Sequence, residues 1–446
     1  MGKGSTGKNK QRSDPPGRTS RALASLHRAR YPGRISMKIG IITNLYPPFA
    51  RGGAENVIVR TVGQLMALGH DVFVITGHPK HLGTRKVLDR SSTERIYRFY
   101  PRNLYFTLDD FKHRWITRLL WHMQDAASWH GAEHVRSILR DEQPDVVMTH
   151  NLKGIGLNIP SVIADLQVPH VHVVHDLQLI VPSGLMMFGQ ERQNLLERVA
   201  YAAYRFVCKQ KFGNPDLVVF PSKYLKDVYD AHDFFPKSER VVMQNPAPNY
   251  AQNKRKGRAG GPLKLLFVGQ LGYHKGLRFL LDALTRVKDD IRLYIAGAGP
   301  MKPEVEAAAG KDKRIVFLGY TPPEELTNVF GVVDALIVPS LCYENSPTVI
   351  YESLMAGVPV IASRIGGVGE LITEGETGML FTPGNEEDLK RVMQEMDRRK
   401  EEFAEKREEI RGGVEGYALE TYAHKLVEML QSAMKHRNPP KEQKEN

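Results

Sequence analysis

The chain has 446 residues, 41% of them hydrophobic and 25% charged, so it is long enough for two or three domains and is not a short peptide-binding module. The formal net charge is +12. Residues 1–36 hold nine Lys or Arg and a single acid, Asp14, which leaves only +4 for the other 410 residues. Because the basic excess is concentrated in one terminal segment, a nucleic-acid-binding function has little support.

The two cysteines, Cys208 and Cys342, exclude a disulfide framework and favour a reducing compartment. The sequence has no run of about 18 apolar residues, the length that a membrane-spanning helix requires. Its N-terminal segment also lacks the apolar stretch of a secretory signal. We therefore expect a cytoplasmic protein.

Residues 1–36 combine Gly, Ser, Pro and basic residues with few large apolar groups, so we predict that this tail is disordered. Recognisable order begins at Met37, and one alternative is that Met37 is the natural start. From there, short apolar runs alternate with helical periodicity, which predicts parallel strands covered on both faces. The strands predicted in the first half are residues 38–43, 71–76, 145–149, 170–174 and 216–220.

Residues 249–261 are polar, basic and Gly-rich, which indicates a linker. The alternation then resumes, with strands predicted at residues 263–268, 292–296, 314–318, 335–338 and 358–362. The sequence thus predicts two doubly wound, Rossmann-like α/β domains that face across a cleft, where ligands of such folds bind. Their predicted bounds are 37–248 and 262–412, followed by a C-terminal helix at 413–436 and a disordered tail at 437–446.

Two glutamates, Glu344 and Glu352, are separated by seven residues after a predicted strand. Pro347 suits the first turn of a helix, which would put Glu344 in the loop and Glu352 about one and a half turns into the helix. Each carboxylate can accept hydrogen bonds from a pair of hydroxyls, and the N–H groups between them suit an anion. This pattern of diol, anion and diol is the shape of a nucleotide-sugar, although the spacing alone also fits an exposed pair of acids.

Two other segments favour the nucleotide-sugar site over an exposed pair of acids. Residues 268–276 close the first strand of the second domain, where Gly269 lets a ligand approach the backbone and Lys275 opens a helix. A lysine there would place a cation beside a diphosphate. The third segment, residues 357–370, sets a buried strand against a turn that contains Gly366 and Gly367.

These segments, together with Tyr46-Pro47-Pro48 and Gly52-Gly53-Ala54-Glu55, closely resemble the family 4 glycosyltransferases of the GT-B fold. The resemblance covers residues 37–435. It implies transfer of a sugar from a nucleotide-sugar to a glycan or lipid-linked acceptor with retention of configuration, without a bound metal or cofactor. UDP- and GDP-linked sugars are the favoured donors, the second domain is expected to hold the donor, and the last helix is expected to cross back to the first domain.

The resemblance also assigns roles on the donor side. Glu344 is expected to bind the sugar hydroxyls, Glu352 the ribose, and Lys275 the leaving diphosphate. Gly52 and Gly53 are expected to form the loop that meets the phosphates. The remaining donor-binding residues implied by the motifs are Gly269, Gln270, Asn345, Ser346, Pro347 and Thr348.

On the first domain, the motif histidine corresponds to His175, which is expected to lie near the reacting carbon; the alternative is a buried core histidine. His150, Asn151 and Asp176 are expected to contact the acceptor. His170 and His172 alternate along a strand, so we interpret them as structural.

The chain departs from the family at Gln270, where an arginine usually grips the diphosphate. Glutamine can donate hydrogen bonds but carries no charge. Three alternatives follow: Lys275 acts alone, His274 or Arg364 compensates, or the activity is lower.

Residues 102–124 mix aromatic and basic side chains. They predict either an interfacial helix that contacts the inner face of the cell membrane or a helix that covers the first sheet. Two other functions stay open beside the transferase: a sugar-nucleotide epimerase, and a non-catalytic nucleotide-sugar-binding protein suggested by Gln270.

Overall fold

The computed structural model describes residues 36–50, 52–83, 87–89, 94–191, 194–247, 260–287 and 290–437. Residues 1–35 of the predicted N-terminal tail, most of the predicted linker and nearly all of the C-terminal tail lie outside the described residues.

Among the described residues, eight strands form the first sheet, in the order β3-β4-β2-β1-β5-β6-β7-β8. All neighbours are parallel except β3 and β4. The strands are β1 (Lys38–Ile42), β2 (Asp71–Gly77), β3 (Val87–Asp89), β4 (Arg95–Phe99), β5 (Val146–Thr149), β6 (His170–Val173), β7 (Leu217–Phe220) and β8 (Glu239–Val242). The helices that accompany this sheet are α1 (Gly53–Ala67), α2 (Trp115–Ala127), α3 (His130–Glu142), α4 (Ile159–Asp165), α5 (Leu195–Phe212) and α6 (Lys223–Asp230).

The second sheet, again counted over the described residues, has six parallel strands in the order β11-β10-β9-β12-β13-β14. Its strands are β9 (Leu263–Val268), β10 (Ile291–Ala296), β11 (Ile315–Gly319), β12 (Ala335–Val338), β13 (Val360–Ser363) and β14 (Gly378–Phe381). The remaining helices are α7 (Leu277–Arg286), α8 (Lys302–Lys311), α9 (Pro323–Phe330), α10 (Thr348–Met355), α11 (Glu386–Glu405), α12 (Arg407–Gly412) and α13 (Leu419–Arg437).

The apolar strands are buried on both faces, as their composition predicts. In β1, Ile41 packs into one core cluster and its neighbour Ile42 into another, on the opposite face of the sheet. The predicted architecture of two doubly wound α/β domains is confirmed. In each sheet the strand order reverses beside the first strand, between β1 and β5 and between β9 and β12. The connections that leave these neighbouring strands run in opposite directions across the sheet, which opens a crevice at their carboxyl ends.

Helix α13 returns from the second domain to the first, which confirms the predicted crossing. Leu426 and Leu430 are fully buried in the cluster that contains Ile58 and Val62 of α1. Apolar contact of this kind ties α13 to α1 of the first domain. Over the described residues, no helix combines the length and the apolar character needed to cross a membrane.

We predict that Leu430→Ala lowers the free energy of unfolding by about 2–5 kcal/mol, because it removes a fully buried side chain and leaves a cavity. Leu196→Ala is the matched control, since Leu196 is exposed on α5. Denaturant unfolding measures both. Equal stability of the two variants would contradict the packing of α13 on the first domain.

Candidate active site

Two loops of the second domain lie side by side because their strands, β9 and β12, are neighbours in the sheet. The backbone oxygen of His274 accepts hydrogen bonds from the backbone nitrogens of Leu341, at 3.0 Å, and Cys342, at 3.1 Å. Gly276 has φ +68°, and a Cβ there would lie 1.7 Å from the carbonyl oxygen of Pro339. Only glycine permits this approach, which brings Lys275 beside the β12 loop.

Lys275 and Glu344 form an ion pair, with 2.6 Å between Nζ and Oε1. Ser340 Oγ donates to the same carboxylate oxygen at 2.7 Å. Burial alone would raise the pKa of Glu344, but the charge and hydrogen bond of Lys275, with the Ser340 hydroxyl, outweigh burial and lower the pKa. Burial would lower the pKa of Lys275, but Glu344 raises it overall. Both groups are therefore charged.

The turn at Gly366 supports this loop from behind. Gly366 has φ +59°, and the backbone nitrogen of Gly367 donates to the carbonyl oxygen of Glu344 at 2.8 Å. A Cβ at Gly366 would lie 2.1 Å from that carbonyl oxygen, so a side chain at this position would push the Glu344 loop away. The glycine-rich turn singled out in the sequence thus helps to fix the position of the Glu344 loop.

The N-terminus of α10 faces the N-terminus of α1 across the domain junction. A Cβ at Gly53, the first residue of α1, would lie 3.3 Å from Oγ1 of Thr348, the first residue of α10. Helix N-termini carry free N–H groups and a partial positive charge, so their convergence favours an anion. Gly52 donates its N–H to Glu55 Oε2 at 2.8 Å and precedes α1.

The residues between Glu344 and α10 make contacts that hold this loop against the first domain. Asn345 Nδ2 donates to the carbonyl oxygen of His175 at 3.1 Å. Ser346 Oγ lies 2.7 Å from the hydroxyl of Tyr351, and its carbonyl oxygen accepts a hydrogen bond from Asn245 at 3.0 Å. Pro347 is the residue immediately before α10.

Glu352 pairs with Arg60 of α1, a contact that the sequence did not predict. Arg60 Nη2 lies 3.0 Å from Glu352 Oε1, and both side chains are mostly buried. Within the described residues, Arg60 Nη1 is buried without a hydrogen-bond partner. Arg60 lies two turns from the glycine motif and looks like an ordinary base on an amphipathic helix, so the sequence held no signal for it.

His175 and His150 form a pair of imidazoles, with 2.8 Å between His150 Nδ1 and His175 Nε2. Burial lowers the pKa of His175 to about 4 and, with the charge of His175, the pKa of His150 well below its usual value. Both rings are therefore neutral at pH 7, so one N–H lies between them.

The tautomer follows from the other nitrogen of His150. Within the described part of the chain, His150 Nε2 is buried without a partner. An orphaned buried N–H is rarer than an orphaned acceptor, which favours an unprotonated Nε2 and a proton on Nδ1. His150 then donates to His175, and Nδ1 of His175 carries the proton that it can offer to a ligand.

The predicted acceptor contacts therefore need a correction at His150, which is almost completely buried and lies behind His175 instead of lining the cleft. Asn151 and Asp176 are joined to each other, with 3.1 Å between Asn151 Nδ2 and Asp176 Oδ2. Asp176 is partly exposed, and the backbone nitrogen of Gln178 donates to it at 2.8 Å. Burial raises the pKa of Asp176 to about 6.

His170 and His172 lie in the sheet and share one partner, the hydroxyl of Thr149, at 2.7 and 2.9 Å. Burial lowers the pKa of both imidazoles, to about 3 for His170. These contacts agree with their interpretation as structural residues.

Gln270 is exposed after Gly269, which has φ +152°. The structure places the two proposed substitutes for the missing arginine in different surroundings. Burial and the neighbouring Lys275 lower the pKa of His274, and Arg364 pairs with Glu374 at 2.7 Å on the surface. Lys275 is a cation of the second domain that the structure places at the loop of Glu344.

We predict that Lys275→Met lowers the melting temperature at pH 7.5, because it leaves the buried carboxylate of Glu344 without its cation. The folded pKa of Glu344 is depressed, so this stabilisation is present above the ordinary pKa of about 4.5 and is lost as the pH falls through the folded pKa. The loss should therefore shrink at pH 4.

The double variant Lys275→Met with Glu344→Gln serves as the control. It removes both charges, so it should recover most of the stability lost in the single variant at pH 7.5. A single-variant loss that stays equal at pH 7.5 and pH 4 would contradict the charged pair.

Comparisons with known proteins identify the family to which the chain is similar. A family model described as Glycosyltransferase Family 4 matches residues 51–247, and one described as Glycosyl transferases group 1 matches residues 262–397. The chain is 28% identical over 367 residues to a glycogen synthase of Mycobacterium tuberculosis, covering 78% of this chain and 83% of the relative. It is 25% identical to an uncharacterized glycosyltransferase of Methanocaldococcus jannaschii, covering 79% and 87%.

Solved structures share the fold. Sucrose-phosphate synthase from Thermosynechococcus elongatus superposes with a TM-score of 0.67 at 17% identity, over 89% of this chain and 98% of the other. HepE of Anabaena, solved in complex with UDP, superposes with a TM-score of 0.63 at 16% identity, over 89% and 100%. Another structure of HepE contains UDP-glucose. The two family models span most of the chain, and the chain belongs to the GT-B glycosyltransferases.

Proposed function

We propose that the protein transfers a sugar from a nucleotide-sugar, UDP- or GDP-linked, to a glycan or lipid-linked acceptor, with retention of configuration and without a metal or other cofactor. One observation carries this proposal: two helix N-termini meet at Gly53 and Thr348, and Thr348 lies in the chain between Glu344, which pairs with Lys275, and Glu352. The helix N-termini supply positive potential, and the carboxylates on either side can accept hydrogen bonds from hydroxyls. This arrangement suits a diphosphate that joins a ribose to a sugar. The HepE complexes with UDP and UDP-glucose support a nucleotide-sugar donor.

In this proposal, the charge that develops on the leaving diphosphate is stabilised by Lys275 and the N–H groups at the start of α10. Both are held in place by the fold, so little reorganisation is needed as the bond lengthens. His175 offers its Nδ1 proton to the donor sugar or to the acceptor beside the reacting carbon. Gln270 can add a hydrogen bond but no charge.

Retention then follows from attack on the same face as the leaving group. The carboxylate of Glu344 is held by Lys275 and Ser340, which suits a group that accepts hydrogen bonds from sugar hydroxyls better than a nucleophile. The acceptor hydroxyl would approach beside the departing phosphate, which can take its proton. This front-face route uses only the groups already described.

Binding of the ribose must also deal with Arg60. Its guanidinium contacts Oε1 of Glu352, the carboxylate proposed for the ribose. The ribose hydroxyls would displace Arg60 or share the carboxylate with it, and a displaced guanidinium would lie close to the nucleotide. Donor binding is therefore coupled to the contact between the domains.

For the cellular location, we propose the cytoplasm, and the inner face of the cell membrane where the acceptor is lipid-linked. Both Cys208 and Cys342 are free and buried, which fits a reducing compartment.

The proposal is tested by measuring transfer and slow hydrolysis with a panel of UDP-, GDP- and ADP-sugars, after thermal-shift screening has identified the donor. Lys275→Ala should reduce turnover by about 10²–10³-fold, as the loss of one preorganised donor to a developing negative charge does elsewhere. Lys302→Ala, which changes a surface lysine of α8, is the control.

Two results would contradict this role. Near-normal turnover of Lys275→Ala would remove the lysine from the mechanism. The second result is that the natural chain binds the donor but catalyses neither transfer nor hydrolysis, and that Glu344→Gln changes only donor binding. This result would favour the non-catalytic nucleotide-sugar-binding protein that Gln270 suggests.

The acceptor side predicts a pH dependence. If the Asp176 carboxylate accepts a hydrogen bond from the acceptor, activity should fall as the pH drops below about 6, where this group becomes protonated. His175 and His150 titrate at lower pH, so Asp176→Asn should abolish this inflection. Steady-state rates between pH 5 and 8 provide the measurement.

Stability changes in the opposite direction, which separates the two effects. A raised folded pKa means that the contribution of Asp176 to stability is present below its ordinary pKa of 3.8 and is lost as the pH rises through about 6. Activity that rises over this range cannot therefore reflect stabilisation by Asp176. An unchanged inflection in Asp176→Asn would overturn the assignment.

A further inference from the structure

Helix α5 exposes an apolar stripe along most of its length. Leu195, Leu196, Val199 and Phe206 are between 62% and 82% exposed. Their spacing of three, four and seven residues brings Val199 and Phe206 onto one side of the helix with the two leucines at its start. Single exposed apolar residues are common, but a contiguous stripe of large ones marks a contact surface.

The opposite side of α5 is anchored, so the stripe is not a loosely placed segment. Cys208 and Phe212 are buried in the core of the first domain, and the hydroxyl of Tyr204 donates to the carbonyl oxygen of Gln178 at 2.6 Å. Asn194 and Glu197 form a reciprocal capping box at the start of the helix. The orientation of the stripe is therefore set by the fold.

Helix α2 repeats the pattern and bears on both interpretations of residues 102–124. Trp121 faces inward, is almost fully buried and donates to the carbonyl oxygen of Tyr105 at 2.9 Å. Ile116, Leu120 and Met123, spaced by four and three residues, are 52% to 62% exposed. One face of this helix thus covers the core while another presents apolar side chains to solvent.

The two helices are close at their C-terminal ends. Lys211, near the end of α5, places its ammonium 5.5 Å from the ring centre of Trp129, which follows α2. The Trp129 side chain is itself exposed. The apolar residues of the two helices therefore belong to adjacent parts of the first domain.

The charge on α5 indicates what covers it. The helix contains Arg198, Arg205, Lys209 and Lys211 against one acid, Glu197, which caps the helix start. Long basic side chains beside an apolar stripe suit anionic lipid headgroups above acyl chains. A second copy of this chain would bring the same basic helix against itself, and like charges oppose that contact.

We propose that the stripe of Leu195, Leu196, Val199 and Phe206 docks on an anionic phospholipid bilayer, with the outward face of α2 as a second contact. The inference rests on the proposed function in one respect: a lipid-linked acceptor would be met at the surface on which the acceptor domain sits. The apolar residues enter the interface, and Arg198 and Arg205 lie at the level of the phosphates.

The test uses the full chain and flotation with vesicles of phosphatidylcholine, with and without phosphatidylglycerol. The variant Leu195→Gln/Leu196→Gln/Phe206→Gln should bind anionic vesicles at least tenfold more weakly than the natural chain. Tyr320→Gln, at an equally exposed site on the second domain, should bind normally. The comparison is repeated at high salt, because binding through the basic residues 1–36 alone is screened by salt and apolar insertion is not.

A second measurement follows insertion directly. Lipids with brominated acyl chains should quench the tryptophan fluorescence of Phe206→Trp more than that of the natural chain. The fluorescence of Tyr320→Trp should show no such added quenching. Equal flotation of the triple variant and the natural chain at both salt concentrations, with no added quenching of Phe206→Trp, would overturn the proposal. A dimer of the natural chain in solution that is absent in the triple variant would also overturn it, because the stripe would then be a contact between copies.

The docking proposal and the proposed function can be tested separately. If the surface is correct, the triple variant keeps its rate of transfer to a soluble acceptor analogue while it loses vesicle binding. Vesicle binding by a chain that transfers no sugar would contradict the proposed function and leave the docking surface standing.

Discussion

The ion pair between Lys275 and the buried carboxylate of Glu344 is the contact on which the geometry of the site depends. It joins the loop after β9 to the loop after β12, and glycine at position 276 makes the approach possible. A carboxylate removed from water is tolerated only when charge and hydrogen bonds compensate it, so the pair favours one arrangement of both loops. The protein thereby holds a cation and a hydrogen-bond acceptor in place, as electrostatic catalysis requires.

The rest of the site is assembled by the meeting of the two domains around this pair. Asn345 contacts the backbone of His175, and Arg60 contacts Glu352. The carboxylate of Glu370 accepts hydrogen bonds from two backbone nitrogens at the start of α6. Each contact joins a residue of one domain to a residue of the other, so neither domain contains the whole site. Any change in domain position would therefore alter the donor and acceptor sides together.

Much of this organisation could be predicted from the sequence, because it depends on local pattern. The apolar runs at β1, β2 and β5, for example, match the strands that their composition predicts. Strands at or near the sheet edges are harder to predict from sequence. Strand β4 has the sequence RIYRF, in which charged and apolar residues mix, and the sequence pattern did not predict it. Lys275 and Glu344 could be singled out because each follows a strand, and parallel strands end at the same edge of the sheet.

By itself, the sequence determined the alternation of strands and helices, the glycines that let loops approach, and the candidate cation and carboxylates. Only the tertiary structure decided which groups these residues meet. It placed Arg60 on Glu352, put His150 behind His175, and left the apolar residues of α5 exposed where their pattern alone would also fit a buried helix. The physical reason is that such contacts join residues far apart in the chain, and their distances follow from how helices and domains pack.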